Sequence, residues 1–186
     1  MGALFAFEEF PYLETRRLRL REIVEHDADA VFRIFSDPEV MHYYDIEAFT
    51  ELRQAQQLIA RYSYRFEQRQ RFRWGIALKE TDELIGTGGF VLWERRQRYA
   101  ELGYDLARKY WRQGLMSEAA QAMVYFGFAH MDLHRIEAQV MPENIASIQL
   151  LRKVGFREEG TLRERGFWKD AFHDLTLFSI LKQDTL

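Results

Sequence analysis

The residues from 99 to 120 hold a pattern that suits phosphate binding. A strand-like run leads into a loop that contains Gly114 and then into a helix-forming run. The first N–H groups of a helix have no intrahelical acceptor, and together with the helix dipole they attract phosphate. Gly114 lets the backbone approach a ligand closely, and Arg108, Lys109 and Arg112 add positive charge. A strand-to-helix turn with a solvated basic loop is the alternative interpretation.

Two known phosphate-binding motifs are absent from this stretch. No Gly-Lys-Ser/Thr follows the loop, as a P-loop requires, and the dinucleotide pattern G-x-G-x-x-G does not occur. Any phosphate site here must therefore depend on the helix end itself.

Three further polar residues have suggestive spacing. Glu101 and Gly103 lie two apart on one predicted strand, so their side chains leave the same face, and a glycine there is typical of a β-bulge. Asn144 and Ser147 lie three apart at the start of a predicted helix, hence on one face. Asn144 also suits the helix N-cap position.

The composition limits the function classes. The chain has 186 residues, 47% hydrophobic and 15% aromatic, with a net charge of −3. That balance predicts a folded domain and disfavours a general nucleic-acid binder. With no cysteine, disulfides, thiolate metal sites and a catalytic thiol are excluded. The five histidines show no ligand spacing, so we expect no metal.

Hydrophobic periodicity predicts a mixed sheet with helices on its faces. The predicted strands are 15–23, 72–79, 84–93, 99–106, 134–141, 156–163 and 173–182. The predicted helices are a short one that opens at Asp27 and ends at Asp37-Pro38, a longer one from Thr50, and the runs 115–131 and 144–154. The order is β-α-α-β-β-β-α-β-α-β-β, which we interpret as one α/β domain over residues 1–186.

The chain start indicates a cytoplasmic protein. It lacks a basic segment ahead of its short apolar run, unlike a signal peptide, and no apolar run is long enough to cross a membrane. The oligomeric state is left open between monomer and homodimer. The aromatic stretch Phe5, Phe7, Phe10 and Tyr12 covers either the domain's own core or a partner subunit.

The whole pattern resembles the GCN5-related N-acetyltransferases (GNAT), in particular the RimJ/RimL branch that acetylates ribosomal-protein N-termini. The resemblance runs from about Thr15 to Lys182 and is carried by the segments LETRRLRLRE, DELIGTGGF, AELGYDL, YWRQGLMSEA and HRIEAQVMPENIASIQLLRKVGFREEG. It implies acetyl-CoA as the acetyl donor. It also implies a mostly antiparallel sheet that splays between strands 99–106 and 134–141, with pantetheine in the gap.

The resemblance assigns cofactor-binding residues. Backbone groups of Tyr104, Asp105 and Leu106 are expected to bind pantetheine. The pyrophosphate is expected in a loop formed by Arg112, Gln113, Gly114, Leu115, Met116 and Ser117. Met116 stands where the family usually has a smaller residue. Because the loop binds mainly through backbone amides, this departure weakens the expectation only slightly.

The resemblance also assigns catalytic residues. Glu101 is expected to act as a base through water, with a structural ion pair to an arginine as the alternative. Asn144 is expected to contact the cofactor. Ser147 is expected near the sulfur, where it could protonate the departing thiolate, because Leu151 stands where many relatives place a tyrosine acid.

The acceptor is expected to be a primary amine, and the weakly specified base favours an N-terminal one. With a pKa near 7.8, roughly one α-amine in seven is neutral at pH 7, against about one lysine in 2,500. We therefore expect a protein or peptide N-terminus as acceptor. The alternatives are a polyamine, amino acid or antibiotic, and a regulatory module that binds acyl-CoA without turnover. The family builds its acceptor site near residues 41–44, for which core packing is the alternative.

Overall fold

The computed structural model describes residues 7–185, which form one eight-stranded sheet in the order β1-β2-β3-β4-β5-β6-β8-β7. Every neighbouring pair is antiparallel except β5 and β6, which are parallel. The expectation of a mostly antiparallel mixed sheet is therefore confirmed. Within residues 7–185, no helix combines the length and apolarity needed to cross a bilayer.

The strands mostly match the predicted ones. They are β1 Leu13–Glu14, β2 Leu18–Arg21, β3 Arg73–Leu78, β4 Leu84–Glu94, β5 Tyr99–Leu106, β6 Arg135–Val140, β7 Arg157–Trp168 and β8 Ala171–Leu181. The predicted strand 15–23 is confirmed only as β2, because the chain turns at residues 15–17, between β1 and β2. The Leu18 N–H donates to the Thr15 hydroxyl at 3.0 Å and closes this turn. At the other end of the chain, β7 and β8 extend further than predicted, to a tight turn at Lys169 and Asp170.

The helices are α1 Ala28–Phe35, α2 Pro38–Met41, α3 Leu52–Glu67, α4 Leu115–His130 and α5 Ile145–Val154. The short helix α2 was not predicted. Pro38 begins it, and the Asp37 carboxylate accepts from the Glu39 N–H at 3.0 Å. The pair Asp37-Pro38 thus ends one helix and starts another, as a capping residue followed by proline favours.

Helices cover both faces of the sheet, so there are two cores. On one face, α4 and α5 pack on the larger core, with buried Trp74, Phe90 and Met123. On the other face, α1 and α3 enclose a smaller core around Val31, Phe35 and Leu58.

The described part of the aromatic N-terminal stretch packs on the chain's own core. Phe7 and Phe10 meet Phe72 edge-on, with ring centroids 5.7 and 6.0 Å away. Tyr12 is 53% exposed, and Phe5 lies outside the described residues. Of the two alternatives for this stretch, Phe7 and Phe10 therefore support coverage of the own core.

Strands β5 and β6 part after three residue pairs. They pair only from Tyr99–Arg135 to Glu101–Glu137, although β5 runs on to Leu106. Beyond that point β6 stays paired with β8 on its other edge. The predicted splay between these two strands is thus confirmed, and it leaves one edge of β5 without a neighbouring strand.

The predicted bulge at Gly103 is wrong, because the extra residue lies on the neighbouring strand. Leu102 pairs with Phe90 and Glu101 with Leu92, so Val91 of β4 is the unpaired residue. Gly103 instead allows close packing, since a Cβ there would lie 3.0 Å from Val91 Cγ1.

A buried ion pair joins β3, β4 and β5, the strands on the β5 side of the gap. Arg73 of β3 and Asp105 of β5 form a bridge of 2.6 Å, with side chains 7% and 2% exposed. The Thr87 hydroxyl of β4 accepts from Arg73 Nε at 2.6 Å and donates to Asp105 Oδ2 at 2.7 Å. Burial alone would lower the pKa of Arg73, but Tyr44, Tyr62 and Asp105 outweigh it and raise that pKa.

We expect Asp105→Asn to destabilise the fold by about 3 kcal/mol, because it leaves the Arg73 guanidinium buried without a counter-charge. Asp132→Asn is the matched control, since Asp132 pairs with Arg98 at 2.7 Å at the surface. The control should cost below about 1 kcal/mol. Urea unfolding measures both free energies, and equal costs would contradict the assigned role of the buried pair.

Candidate functional site

The free edge of β5 presents the backbone of Tyr104 and Leu106 to the gap. Just before β5, the Arg98 carbonyl accepts from the N–H groups of His134 and Arg135, where β6 begins, at 2.7 and 3.2 Å. Just after β5, the Ala107 N–H donates to the carbonyl of Ile85 in β4 instead. Backbone groups alternate between the two edges of a strand, so even-numbered residues of β5 face the gap. Tyr104 and Leu106 therefore lie where a ligand can extend the sheet.

Two details narrow the expected set of pantetheine contacts. The Leu106 carbonyl already accepts from Trp111 Nε1 at 2.7 Å, which leaves its N–H. Asp105 was expected in this set, but its backbone faces β4 and its carboxylate binds Arg73 and the Thr87 N–H. Asp105 thus supports the strand and does not line the gap.

The loop after β5 forms a nest of amide groups. Arg112 and Gly114 both have positive φ, at 59° and 72°, and such turns point successive N–H groups to one side. Among residues 7–185, the N–H groups of residues 112–117 have no acceptor, and the Glu118 N–H is the first to bond, to the Gly114 carbonyl at 3.1 Å. The predicted pyrophosphate loop therefore has the amide geometry that an anion needs.

Leu115 and Met116 contribute only their backbones to this nest. Their side chains are 4% and 6% exposed and belong to the larger core. The bulk of Met116 therefore points away from the loop and does not obstruct it.

The positive charge at the loop differs from the predicted cluster. Arg108 pairs with Asp37 at 3.4 Å, and Lys109 pairs with Glu83 at 2.8 Å. Both cations therefore anchor the loop to its neighbours. Arg112 has no acidic partner within residues 7–185.

Arg17 is a cation at the nest that sequence reasoning missed. Its Nε binds Glu118 at 2.8 Å and its Nη1 donates to the Gln113 carbonyl at 3.1 Å. Its Nη2 lies 3.7 Å from where a Cβ on Gly114 would be. No local signal could have found it, because Arg17 and Glu118 are 101 residues apart.

Across the gap, Tyr104 and Ser147 form a hydroxyl pair at 2.7 Å. Burial raises the pKa of Tyr104 to about 12, although the Ser147 hydrogen bond opposes the shift. The phenol is therefore protonated at neutral pH and able to donate. Sequence reasoning found the Tyr104 backbone but missed this side chain, which strand alternation places on the face that α5 crosses.

Asn144 holds the start of α5. Its Oδ1 accepts from the Ser147 N–H at 3.1 Å, which is the N-cap role predicted from spacing alone. Its side-chain NH₂ group remains available for a ligand. The cap also fixes Ser147 opposite Tyr104.

Glu101 lies at the point where β5 and β6 part. Gln139 Nε2 donates to it at 3.2 Å. Burial and the charge of Glu137 raise the pKa of Glu101, against smaller effects of Gln139 and Arg165. The alternative of a structural ion pair fails within residues 7–185, where no cation lies within salt-bridge distance; the nearby Arg135 binds Glu137 and Glu159 instead.

The arrangement places a possible base and a possible acid at the same gap. Glu101 and Tyr104 are three residues apart on β5, so their side chains leave opposite faces. A group held against the Tyr104 and Leu106 backbone can therefore meet a proton acceptor on one side and a hydroxyl donor on the other. Within the described residues, no three His, Asp or Glu side chains come together to hold a metal ion.

Comparison with known sequences identifies relatives over nearly the whole chain. A family model described as "Acetyltransferase (GNAT) domain" matches residues 17–157. The uncharacterized N-acetyltransferase YoaA of Bacillus subtilis is 40% identical over 173 residues, which cover 93% of this chain and 98% of that protein. A ribosomal-protein-serine acetyltransferase of Escherichia coli is 34% identical over 98 residues, 53% of this chain and 55% of that protein.

Solved structures show the same fold. The crystal structure of a GNAT-family acetyltransferase from Bacillus anthracis superposes with a TM-score of 0.84 and 28% identity, and covers 93% of this chain and 99% of that one. The fold, the family model and the near full-length relatives agree with the resemblance noted from the sequence. The chain belongs to the GNAT family of acetyltransferases.

Proposed function

We propose that this acetyltransferase moves the acetyl group of acetyl-CoA to an N-terminal α-amine of a protein or peptide. The observation that carries the proposal is the succession of two sets of free backbone groups among the described residues: the Tyr104 backbone and the Leu106 N–H at the edge of β5, and then the amide nest of residues 112–117. Its order matches the donor molecule, with an amide-bearing arm next to a pyrophosphate.

The chemical groups of acetyl-CoA match these two sets of backbone groups. The pantetheine amides pair with Tyr104 and the Leu106 N–H, as an added strand would. The pyrophosphate accepts from the N–H groups of residues 112–117, with Arg17 and Arg112 beside it. The thioester then lies towards the parting point, between Glu101 and Ser147.

Glu101 is proposed to take the proton of the acceptor, through a water molecule. Its raised pKa makes it a better proton acceptor than an exposed carboxylate. An α-amine needs little help, since a substantial fraction is neutral at pH 7. This match between a carboxylate base and a weakly basic amine supports an N-terminal acceptor over a lysine-like one.

The Tyr104–Ser147 pair is proposed to supply the proton for the leaving thiolate. The amine attacks the thioester carbonyl, the C–N bond forms, the C–S bond breaks, and Ser147 protonates the sulfur. Tyr104, whose raised pKa keeps it protonated before the reaction, passes its proton to Ser147 and is then reprotonated from solvent, while the proton that Glu101 took from the amine is released to solvent. Because the chain contains no cysteine, an acetyl-cysteine intermediate is unavailable, and direct transfer is the simplest path.

Thiol release from acetyl-CoA, measured against peptides, polyamines and free amino acids, tests the proposal. We expect release with peptides that have a free N-terminus and none with the same peptides blocked at the N-terminus. Release with polyamines alone would contradict the proposed acceptor. Tight acetyl-CoA binding without release on any acceptor would instead favour a regulatory module.

Glu101→Gln should lower kcat/KM at pH 7 by about 100-fold, because the amide cannot take a proton. The loss should shrink at high pH, where the amine is neutral without help. Glu80→Gln, a surface control, should match the wild type. An unchanged pH profile in Glu101→Gln would remove Glu101 as the base.

The thermal stability of Glu101→Gln should also depend on pH differently from that of the wild type. Burial disfavours the ionised form of Glu101 in the folded state, so stability falls as the pH rises from the ordinary pKa of a glutamate to the raised pKa and stays lower above it. The Tm of Glu101→Gln relative to wild type should therefore rise as pH increases from 4 to 8. A pH-independent difference would contradict the buried, raised-pKa carboxyl.

Ser147→Ala and Tyr104→Phe should each lower kcat by at least about tenfold without raising the KM for acetyl-CoA, because each removes only a hydroxyl of the proton path. The N-cap survives in Ser147→Ala, since Asn144 binds the backbone N–H. If the two hydroxyls act as one unit, the double variant should be no slower than the slower single one. Additive losses, or a collapse of acetyl-CoA affinity, would contradict the proton path.

A further inference from the structure

A pocket rich in arginine opens beside Gly103, on the Glu101 face of the sheet. It has a volume of about 300 Å³ and lies between α3, the loop after α2, and strands β3 and β4. The charged residues that line it are Arg61, Arg65, Arg71, Arg73 and Asp45. Phe35, Tyr44 and Tyr62 provide part of its wall.

The pocket is close to the proposed reaction centre. Its lining residues Val91 and Arg73 approach Gly103, at 3.0 and 3.6 Å from where a Cβ would be. Gly103 is two residues from Glu101 on β5, so both leave the same face. Two residues of strand span about 7 Å, which is within reach of an acceptor whose amine lies at Glu101.

Two of the four arginines are already engaged. Arg73 is bound to Asp105. Arg71 donates to the Val91 carbonyl, which fixes its guanidinium, but within residues 7–185 it has no carboxylate partner. Neither contact neutralises the two arginines of α3, Arg61 and Arg65.

Arg61 and Arg65 lie four residues apart on α3, hence on one face of the helix. Within residues 7–185, neither is within salt-bridge distance of an acidic group, Asp45 included. Partial burial, followed by the charges of Arg71 and Arg61, lowers the pKa of Arg65. The charges of Arg61, Arg65 and Arg71 therefore repel one another, and a bound anion would reduce this repulsion.

We propose that this pocket binds a carboxylate of the acceptor, so that the preferred acceptor is a peptide with acidic side chains just after its N-terminal residue. This inference rests on the proposed function and names the substrate class of that same site. Guanidinium groups pair with carboxylates in a forked geometry, and Arg61, Arg65 and Arg71 supply the donors. The same charges repel a polyamine.

The test compares two peptides that differ only in Asp against Asn at positions two and three, with the same N-terminal serine. The wild type should show a kcat/KM about tenfold higher for the Asp peptide, the scale of one charged hydrogen bond. Raising the salt concentration should narrow this preference, because the charges are partly exposed. Free aspartate serves as a third acceptor, and its use in preference to the peptides would place the carboxylate on a free amino acid.

The variant Arg61→Gln/Arg65→Gln should bring the Asp-to-Asn ratio towards one. Arg53→Gln is the matched control: Arg53 is exposed on the same helix and does not line the pocket, so this variant should keep the wild-type ratio. An equal fall of the ratio in Arg53→Gln would attribute the preference to overall charge and overturn the pocket.

The outcomes separate the two proposals. If the wild type acetylates both peptides equally well, the carboxylate pocket is overturned and the N-terminal acetyltransferase stands. If neither peptide is acetylated while other amines release thiol, the proposed acceptor class itself fails.

Discussion

Buried backbone groups must find hydrogen-bond partners, and the parting of β5 from β6 leaves several without one. The two strands pair from Tyr99 to Glu101 and then separate, while β6 keeps its bonds to β8 and β5 keeps its bonds to β4. Within residues 7–185, the Tyr104 backbone and the Leu106 N–H are therefore the groups of this edge without a partner, since the Leu106 carbonyl accepts from Trp111. The gap proposed for the cofactor, the position of Glu101 at its start and the hydroxyl pair across it all depend on this separation.

Two sets of interactions fix the elements on the β5 side of the gap. Arg73, Thr87 and Asp105 lock β3, β4 and β5 into one unit. Glu118, at the start of α4, binds the turn between β1 and β2 through Thr15 and Arg17. The nest of residues 112–117 is thus positioned by rigid elements before any ligand arrives, which reduces the entropy lost on binding.

Local electrostatics explain how a chain with a net charge of −3 can suit a phosphate-bearing donor. Arg108 and Lys109 anchor the loop through Asp37 and Glu83, so the attraction is left to amide N–H groups and to Arg17 and Arg112. The pocket proposed for the acceptor differs, because Arg61 and Arg65 of α3 have no acidic partner within residues 7–185.

Local sequence patterns predicted much of the fold and the shape of the loop proposed for the cofactor, since apolar residues alternate along β5, α4 is a long apolar run and Gly114 precedes it. What they missed was long-range. The extra residue on β4, Val91, can be found only from the pairing register of β4 and β5. Without that register, the glycine at position 103 indicates a bulge there, which is wrong. The Arg17–Glu118 and Arg73–Asp105 pairs join residues far apart in sequence, and the second one removed Asp105 from the predicted cofactor contacts. The Tyr104–Ser147 pair required the strand and helix to be in place.

The central claim is that acetyl-CoA lies in the gap with its pyrophosphate on the amide nest. Residue-resolved amide hydrogen exchange, measured with and without coenzyme A, tests it most directly. We predict that coenzyme A slows exchange at residues 112–117, Tyr104 and Leu106, and leaves the amides of β1 and the β7–β8 turn unchanged. Protection confined to other elements, with unchanged exchange at the nest and at Tyr104, would contradict the account.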